Sequence, residues 1–170
     1  MTTAAALPRW DMSVVFPGLD SPEFERAFQH LDASVAELTA YFDEHGIAKR
    51  ASAPLDDVTI ATFERVTDRF NALLDEQGII TAYTYAFVCT DSRDTLAQAK
   101  WSELQQIFVR LSLLGTRFTA WLGALDIDGL IVSSEVARAH AHTLRQASIQ
   151  AAHLMSPAEE TLAAELSPSS

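Results

Sequence analysis

Apolar residues return every three or four positions along most of this chain, and that spacing restricts it to helices more firmly than any other feature. Phe24, Phe28, Leu31, Val35, Leu38 and Phe42 fall on one helical face, with Glu25, Asp32 and Glu37 elsewhere. Ser21 followed by Pro22 marks the start of this helix. The hydroxyl can accept from an unpaired N–H, and proline at the first helical position gives up no needed donor. Gly46 marks the end. The stretch LPRWDMSVVFPGLDSPEF, from Leu7 to Phe24, holds residues that refuse a helix, so residues 1–20 are expected as an extended arm.

After a loop, AKRASAPLDD, the pattern resumes at Ile60, Phe63, Val66, Phe70, Leu73 and Leu74 and is expected to stop at Gly78. The next run, IITAYTYAFVCTDS, is rich in β-branched and aromatic residues, and propensity alone allows a strand. It reads as a buried helix instead, because only LIVSS offers a weak partner and a lone strand is unstable. Asp94 then caps a long helix from Thr95 to Leu125, about 45 Å at the usual rise, striped by Leu104, Ile107, Phe108, Leu111, Leu114, Phe118, Trp121 and Leu125. DIDGLIVSS breaks the pattern, and Ser134 to Ala151 forms an alanine-rich fifth helix. Ser156, Pro157 and Glu159 stand as a capping box opening a last one. The expectation is one all-α domain over residues 1–170: an arm at 1–20, a bundle of five to six helices at 21–155, and the start of a further helix at 156–170.

The bulk chemistry narrows function mainly by exclusion. A net charge of −11, with no run rich in Lys or Arg, argues against nucleic acid or an anionic membrane as partner. Cys89 is the sole cysteine, so no internal disulfide can form. MTTAAALPRWD has neither a basic nor an apolar leader region, and the longest apolar run is about half of the roughly 20 residues a span requires. A cytoplasmic location follows as the expectation.

Residues that could do chemistry are scattered. His140 and His142, two apart, would point roughly 200° away from each other on a helix and cannot grip one metal. H-E-x-x-H is absent, and so is Glu-x-x-His, since Ala27, Phe42, Ala137, Ala139 and Gln150 stand three before His30, His45, His140, His142 and His153. Phe87 and Val88 beside Cys89 suggest a buried, inert thiol. CTDSRD reads as a polar loop with a helix cap. Tyr83, Tyr85, Trp101 and Trp121 read as core, and without a basic stripe they do not signal base stacking. No catalytic, cofactor-binding or metal-ligating residue is assigned.

Three stretches carry a family resemblance. LPRWDMSVVFPGLDSPEF is similar to the amino-terminal signature of oligoendopeptidase F, a thimet-type zinc metallopeptidase family, whose members begin Leu-Pro-x-Trp-Asp-Leu and open their first helix at Ser-Pro-x-Phe. AYTYAFVCTDSRDTLAQA resembles the family's helix–loop–long-helix segment, and HLMSPAEETLAAELS resembles the segment leading towards its catalytic part. The resemblance covers essentially the whole chain. It implies a non-catalytic amino-terminal helical domain, a fragment or a truncated product, forming part of the wall of a cleft that admits oligopeptides. Zinc, polarising the scissile carbonyl and activating water, is implied for the full-length parent only. Its ligands and general base match no position here, so this chain alone is expected to bind no zinc and cleave no peptide.

The implied partners are the parent's catalytic domain and, for the full-length protein, oligopeptide substrates. On the residues alone, Trp10 and Asp11 read as anchors of the arm, an apolar plug and a loop acceptor. The alternative from another class is a free-standing helical interaction module that binds a partner helix along an exposed apolar groove. Leu162 and Leu166, four apart after Leu154 and Met155, predict a weak homodimer at high concentration, opposed by the net charge.

Overall fold

The computed structural model describes residues 11–154. They form six helices: α1 (Pro22–Glu44), α2 (Asp57–Thr90), α3 (Thr95–Leu122), α4 (Ile127–Ser133), α5 (Glu135–Ala139) and α6 (Ala141–Ala151). The fold is all-α, with no strand among the described residues.

Each long helix starts where the sequence places an oxygen-bearing cap. Ser21 Oγ accepts from the Phe24 N–H at 3.2 Å, Asp56 from Thr59 at 2.8 Å and Asp94 from Ala97 at 3.0 Å. The end of α1 is equally specific. Gly46 takes φ 59, its N–H reaches the Asp43 carbonyl, and the Ile47 N–H reaches that of Phe42 at 2.9 Å. This pair of bonds needs a left-handed residue at Gly46, and it drives Ile47 into the core, fully buried.

Besides the earlier end of α3, at Leu122 where Leu125 was expected, two helix boundaries differ from the sequence expectation. Gly78 does not end the second helix; α2 runs through it to Thr90 without a break. A mid-helix glycine costs only about 1 kcal/mol, and the buried faces on either side, Leu73 before it and Ile80 and Tyr83 after it, stay in phase. IITAYTYAFVC is therefore helical, but it is not buried all round, because Ile79 and Tyr85 are about half exposed. The second difference lies after Trp121. DIDGLIVSS is itself the short α4, capped by Asp126, and the helix expected from Ser134 to Ala151 is divided at His140 into α5 and α6.

α1, α2 and α3 pack against one another, and α6 lies along α3. Phe24, Leu31, Val35, Leu38 and Phe42 from α1 meet Phe63, Val66, Leu73 and Ile80 from α2 and Leu104, Ile107 and Leu111 from α3. Aromatic rings fill both ends of this bundle. Phe118 contacts Phe42, Phe63, Phe70 and Trp121 at one end, while Tyr83 contacts Phe16, Phe24 and Phe87 at the other. The small helices are tied in by polar bonds: Ser134 Oγ both caps α5 and donates to Glu64 on α2 at 2.6 Å.

Residues 11–20 carry no helix and run through turns across the end of the bundle. Phe16 and the buried Leu19 hold them there, and the Tyr83 hydroxyl donates to the Phe16 carbonyl at 2.8 Å. Asp11 is a loop acceptor, taking the Ser13 N–H at 3.0 Å and its hydroxyl at 2.5 Å. Trp10 and the capping box at Ser156, Pro157 and Glu159 lie outside the described residues, as do Leu162 and Leu166.

Candidate functional site

The residues with chemical potential stay apart in three dimensions. His30 Nδ1 lies 2.8 Å from Glu76, His45 Nδ1 lies 3.0 Å from the Tyr41 carbonyl under a stacked phenol ring, and His140, His142 and His153 are exposed at the α5–α6 end. Among the described residues no three His, Cys, Asp or Glu side chains converge on a point where a metal ion could sit. A zinc ion needs three or four such ligands, so no step through zinc is derived from these residues.

Cys89 is exposed, not buried. Neighbours in sequence misled here because a helix turns about 100° per residue, so Phe87 and Val88 pack inwards while Cys89 emerges on the far side with Tyr85. The Cys89 side chain, by hydrogen bond and charge, raises the Tyr85 phenol above its ordinary value. Tyr83 and Trp121 are core as expected, Trp101 is half-buried against Phe108, and Tyr85 is surface. In CTDSRD, Cys89 and Thr90 still belong to α2, and the polar loop is confined to residues 91–94: Asp91 accepts from the Arg93 N–H at 2.9 Å and Asp94 caps α3.

What the structure assembles instead is an asymmetric surface. Glu23, Glu25, Asp32, Glu37, Asp43 and Glu44 lie on α1 and Asp57, Glu64, Asp68, Asp75 and Glu76 on α2, whereas α3 carries only Glu103 and α6 carries none. Lys100 joins the two sides. Its ammonium lies 2.8 Å from Glu25 and 3.3 Å from Glu103, and over the Phe28 ring at 5.1 Å. Burial alone pulls the Lys100 pKa down, but the two carboxylates together outweigh it and hold it above the ordinary value. Glu25 is shifted the opposite way, lowered first by the Lys100 hydrogen bond and then by that of Gln29.

On the carboxylate-poor side an open groove of about 550 Å³ runs between the end of α1 and the second half of α3. Leu113, Leu114 and Ala120 form its apolar floor, Lys49, Arg110 and Arg117 line its rim, and Leu154 closes one end. Among the described residues no carboxylate lines it, although Asp32 and Asp43 pair with two of its cations from outside. Arg117 is fixed by bonds to the Ile47 carbonyl at 3.2 Å and Asp43 at 2.8 Å, and it lies over the Phe42 ring. Arg110 pairs with Asp32, and Lys49 donates to the Leu154 carbonyl.

This groove was not anticipated residue by residue, because net charge averages over the surface. The signal was present, however: the sequence from Leu104 to Leu125 contains no Asp or Glu, and neither does that from Val136 to Ala158. No helix among the described residues is long and apolar enough to cross a membrane. No family model, curated protein or solved structure matches the chain.

Proposed function

We propose that this chain is the non-catalytic amino-terminal helical domain of an oligoendopeptidase F-like zinc metalloendopeptidase, serving as part of the wall of its oligopeptide cleft. The observation that carries the reading is the resemblance of the three segments around Trp10–Asp11, Thr90–Asp91 and Ser156–Glu159, in that order, to the family's amino-terminal region. The all-α fold supports the reading only in general form: Ser21 and Pro22 open α1, and a polar loop at 91–94 precedes the long α3. A wall of this kind contributes shape and access, while zinc and the general base belong to a catalytic part, expected as the domain's covalent partner in the cytoplasm.

The reading of the gene beyond residue 170 tests it, followed by zinc content and cleavage of quenched fluorescent oligopeptides by the longest product. An in-frame H-E-x-x-H with a downstream glutamate, and zinc-dependent cleavage, is the expected result. A stop codon directly after Ser170 in the native transcript would overturn it and leave a free-standing helical module.

A further inference from the structure

We propose that the uncharged strip shared by the second half of α2 and the adjoining edge of α3 is the contact face of a two-fold dimer of this chain. This does not depend on the peptidase reading.

Two ring contacts fix how the strip is built. Tyr85 meets Trp101 at 5.3 Å and Phe70 meets Phe118 at 5.9 Å, so α2 and α3 run antiparallel. The same register sets Gly78 beside Phe108 and Val109. Leu74, Ile79, Tyr85 and Val109 are 49%, 54%, 52% and 61% exposed along it, with Gly78 and Ala82 exposed between them. Residues 77–90 contain no charged residue. On α3 the charged side chains are Lys100, Glu103, Arg110 and Arg117, and ion pairs draw them to the edge that faces α1. Lys100 pairs with Glu25 and Glu103, Arg110 with Asp32, and Arg117 with Asp43. The opposite edge of α3, from Trp101 onward, is left without charge.

Charge and symmetry select a second copy. Two chains of net charge −11 repel each other, and the carboxylates of α1 and the first half of α2 strengthen this wherever those faces would meet. Approach through the strip brings no like charges into contact, and a charged partner would find nothing there to pair with. Pairing α2 antiparallel with its copy about Ala82 sets Ile79 of one chain against Tyr85 of the other, and the small Ala82 lets the helices come close. Asp75, just outside the strip, then lies about 20 Å along the axis from Asp75 of the other copy. The four large side chains expose roughly 400 Å² per copy, so the pair removes on the order of 1,000 Å² once the small residues between them are included. That is the size of a weak, reversible dimer.

Sedimentation velocity of the full chain, from about 1 to about 200 μM, should show a reversible dimer that grows with concentration. Raising salt from about 50 to about 300 mM should favour it, because screening relieves the repulsion between acidic copies while an uncharged contact loses nothing. Ile79→Glu and Tyr85→Glu should each weaken the dimer about tenfold or more, by burying a charge without a partner. Val132→Glu, on α4 and 76% exposed, should leave it unchanged. If one strip variant disturbs the circular dichroism spectrum, the other carries the test. Ala82→Cys in a Cys89→Ser background should cross-link to itself with a short bismaleimide, and Val132→Cys in the same background should not. A monomer throughout the range, a dimer indifferent to both strip variants, or a dimer weakened by salt overturns the proposal. So does a dimer that Leu162→Glu dissolves and Ile79→Glu leaves intact, since the contact would then belong to residues beyond Leu154.

Discussion

The α1–α2 side and the α3–α6 side of this molecule bury the same kind of core and show opposite surfaces. Inward, both are close-packed: Leu31 and Phe63 on one side and Leu104 on the other are fully buried. Outward, α1 and the first half of α2, as far as Glu76, carry repeated carboxylates, while α3 shows Gln105, Val109, Arg110, Ser112, Leu113 and Thr116. A helix facing water on its outer side ordinarily carries charge there. The comparison teaches that a shared core constrains only the inward face of each helix and leaves the outward faces free to differ in charge.

The most drastic way to break this comparison is to show that the two sides are separate folding units. Leu31→Ala on α1 and Leu104→Ala on α3 should each cost about 2–5 kcal/mol, because each removes a fully buried side chain from one shared core. Chemical denaturation of both variants should still give a single transition by fluorescence and circular dichroism. Two transitions in either variant would mean that each side has its own core and that their surfaces need no joint explanation.

Lys100 tests the seam. Lys100→Met should lower stability by about 1 kcal/mol near neutral pH, a modest figure because Glu25 is partly exposed. The pH dependence has a definite sign on each flank. Glu25 is depressed below its ordinary 4.5, so its contribution is present above that value and is lost as pH falls through the folded value. Lys100 is raised above its ordinary 10.5, so its contribution is full below that value and disappears as pH rises through the folded one. The gap between wild type and variant should therefore narrow at both extremes; a gap that is flat across pH would remove the ion pair as the link.

Gly78 sharpens the picture of α2. A Cβ there meets nothing within 4 Å, and the residue is helical, so Gly78→Ala should stabilise by roughly 0.5–1 kcal/mol in thermal unfolding. A loss instead would show that the glycine serves a bend or contact that the helix conceals. The smallest effect belongs to the outer face of α3. Leu113→Ala should change stability by less than about 0.5 kcal/mol, since the side chain is mostly exposed. A larger loss would mean that the groove is part of the core, and the contrast between the two surfaces would fade.

Much of the fold was legible because it depends on local rules. Caps at Ser21 and Asp94 and the break at Gly46 each act through hydrogen bonds within a few residues, and the residues concerned are visible in order along the chain, whereas the Asp56 cap of α2 was read as part of a loop. Gly78 and Cys89 show where local reading fails. A glycine is weak punctuation when the apolar phase continues across it, and the environment of a cysteine depends on its helical angle, not on its chain neighbours. The candidate site was the least legible part, since its members come from α1, the loop at Lys49, α3 and Leu154, and nothing in their spacing along the chain announces that they meet.

Amino-acid order alone therefore determined that this protein is helical, where α1 and α3 begin, and which face of each of these two turns inward, because periodicity and capping are short-range and additive. Only tertiary packing decided that α2 passes through Gly78, that Tyr83 reaches across to hold the Phe16 carbonyl, and that Lys49, Arg110 and Arg117 border one groove. Those outcomes depend on which helices lie side by side, and that is settled by the whole core at once.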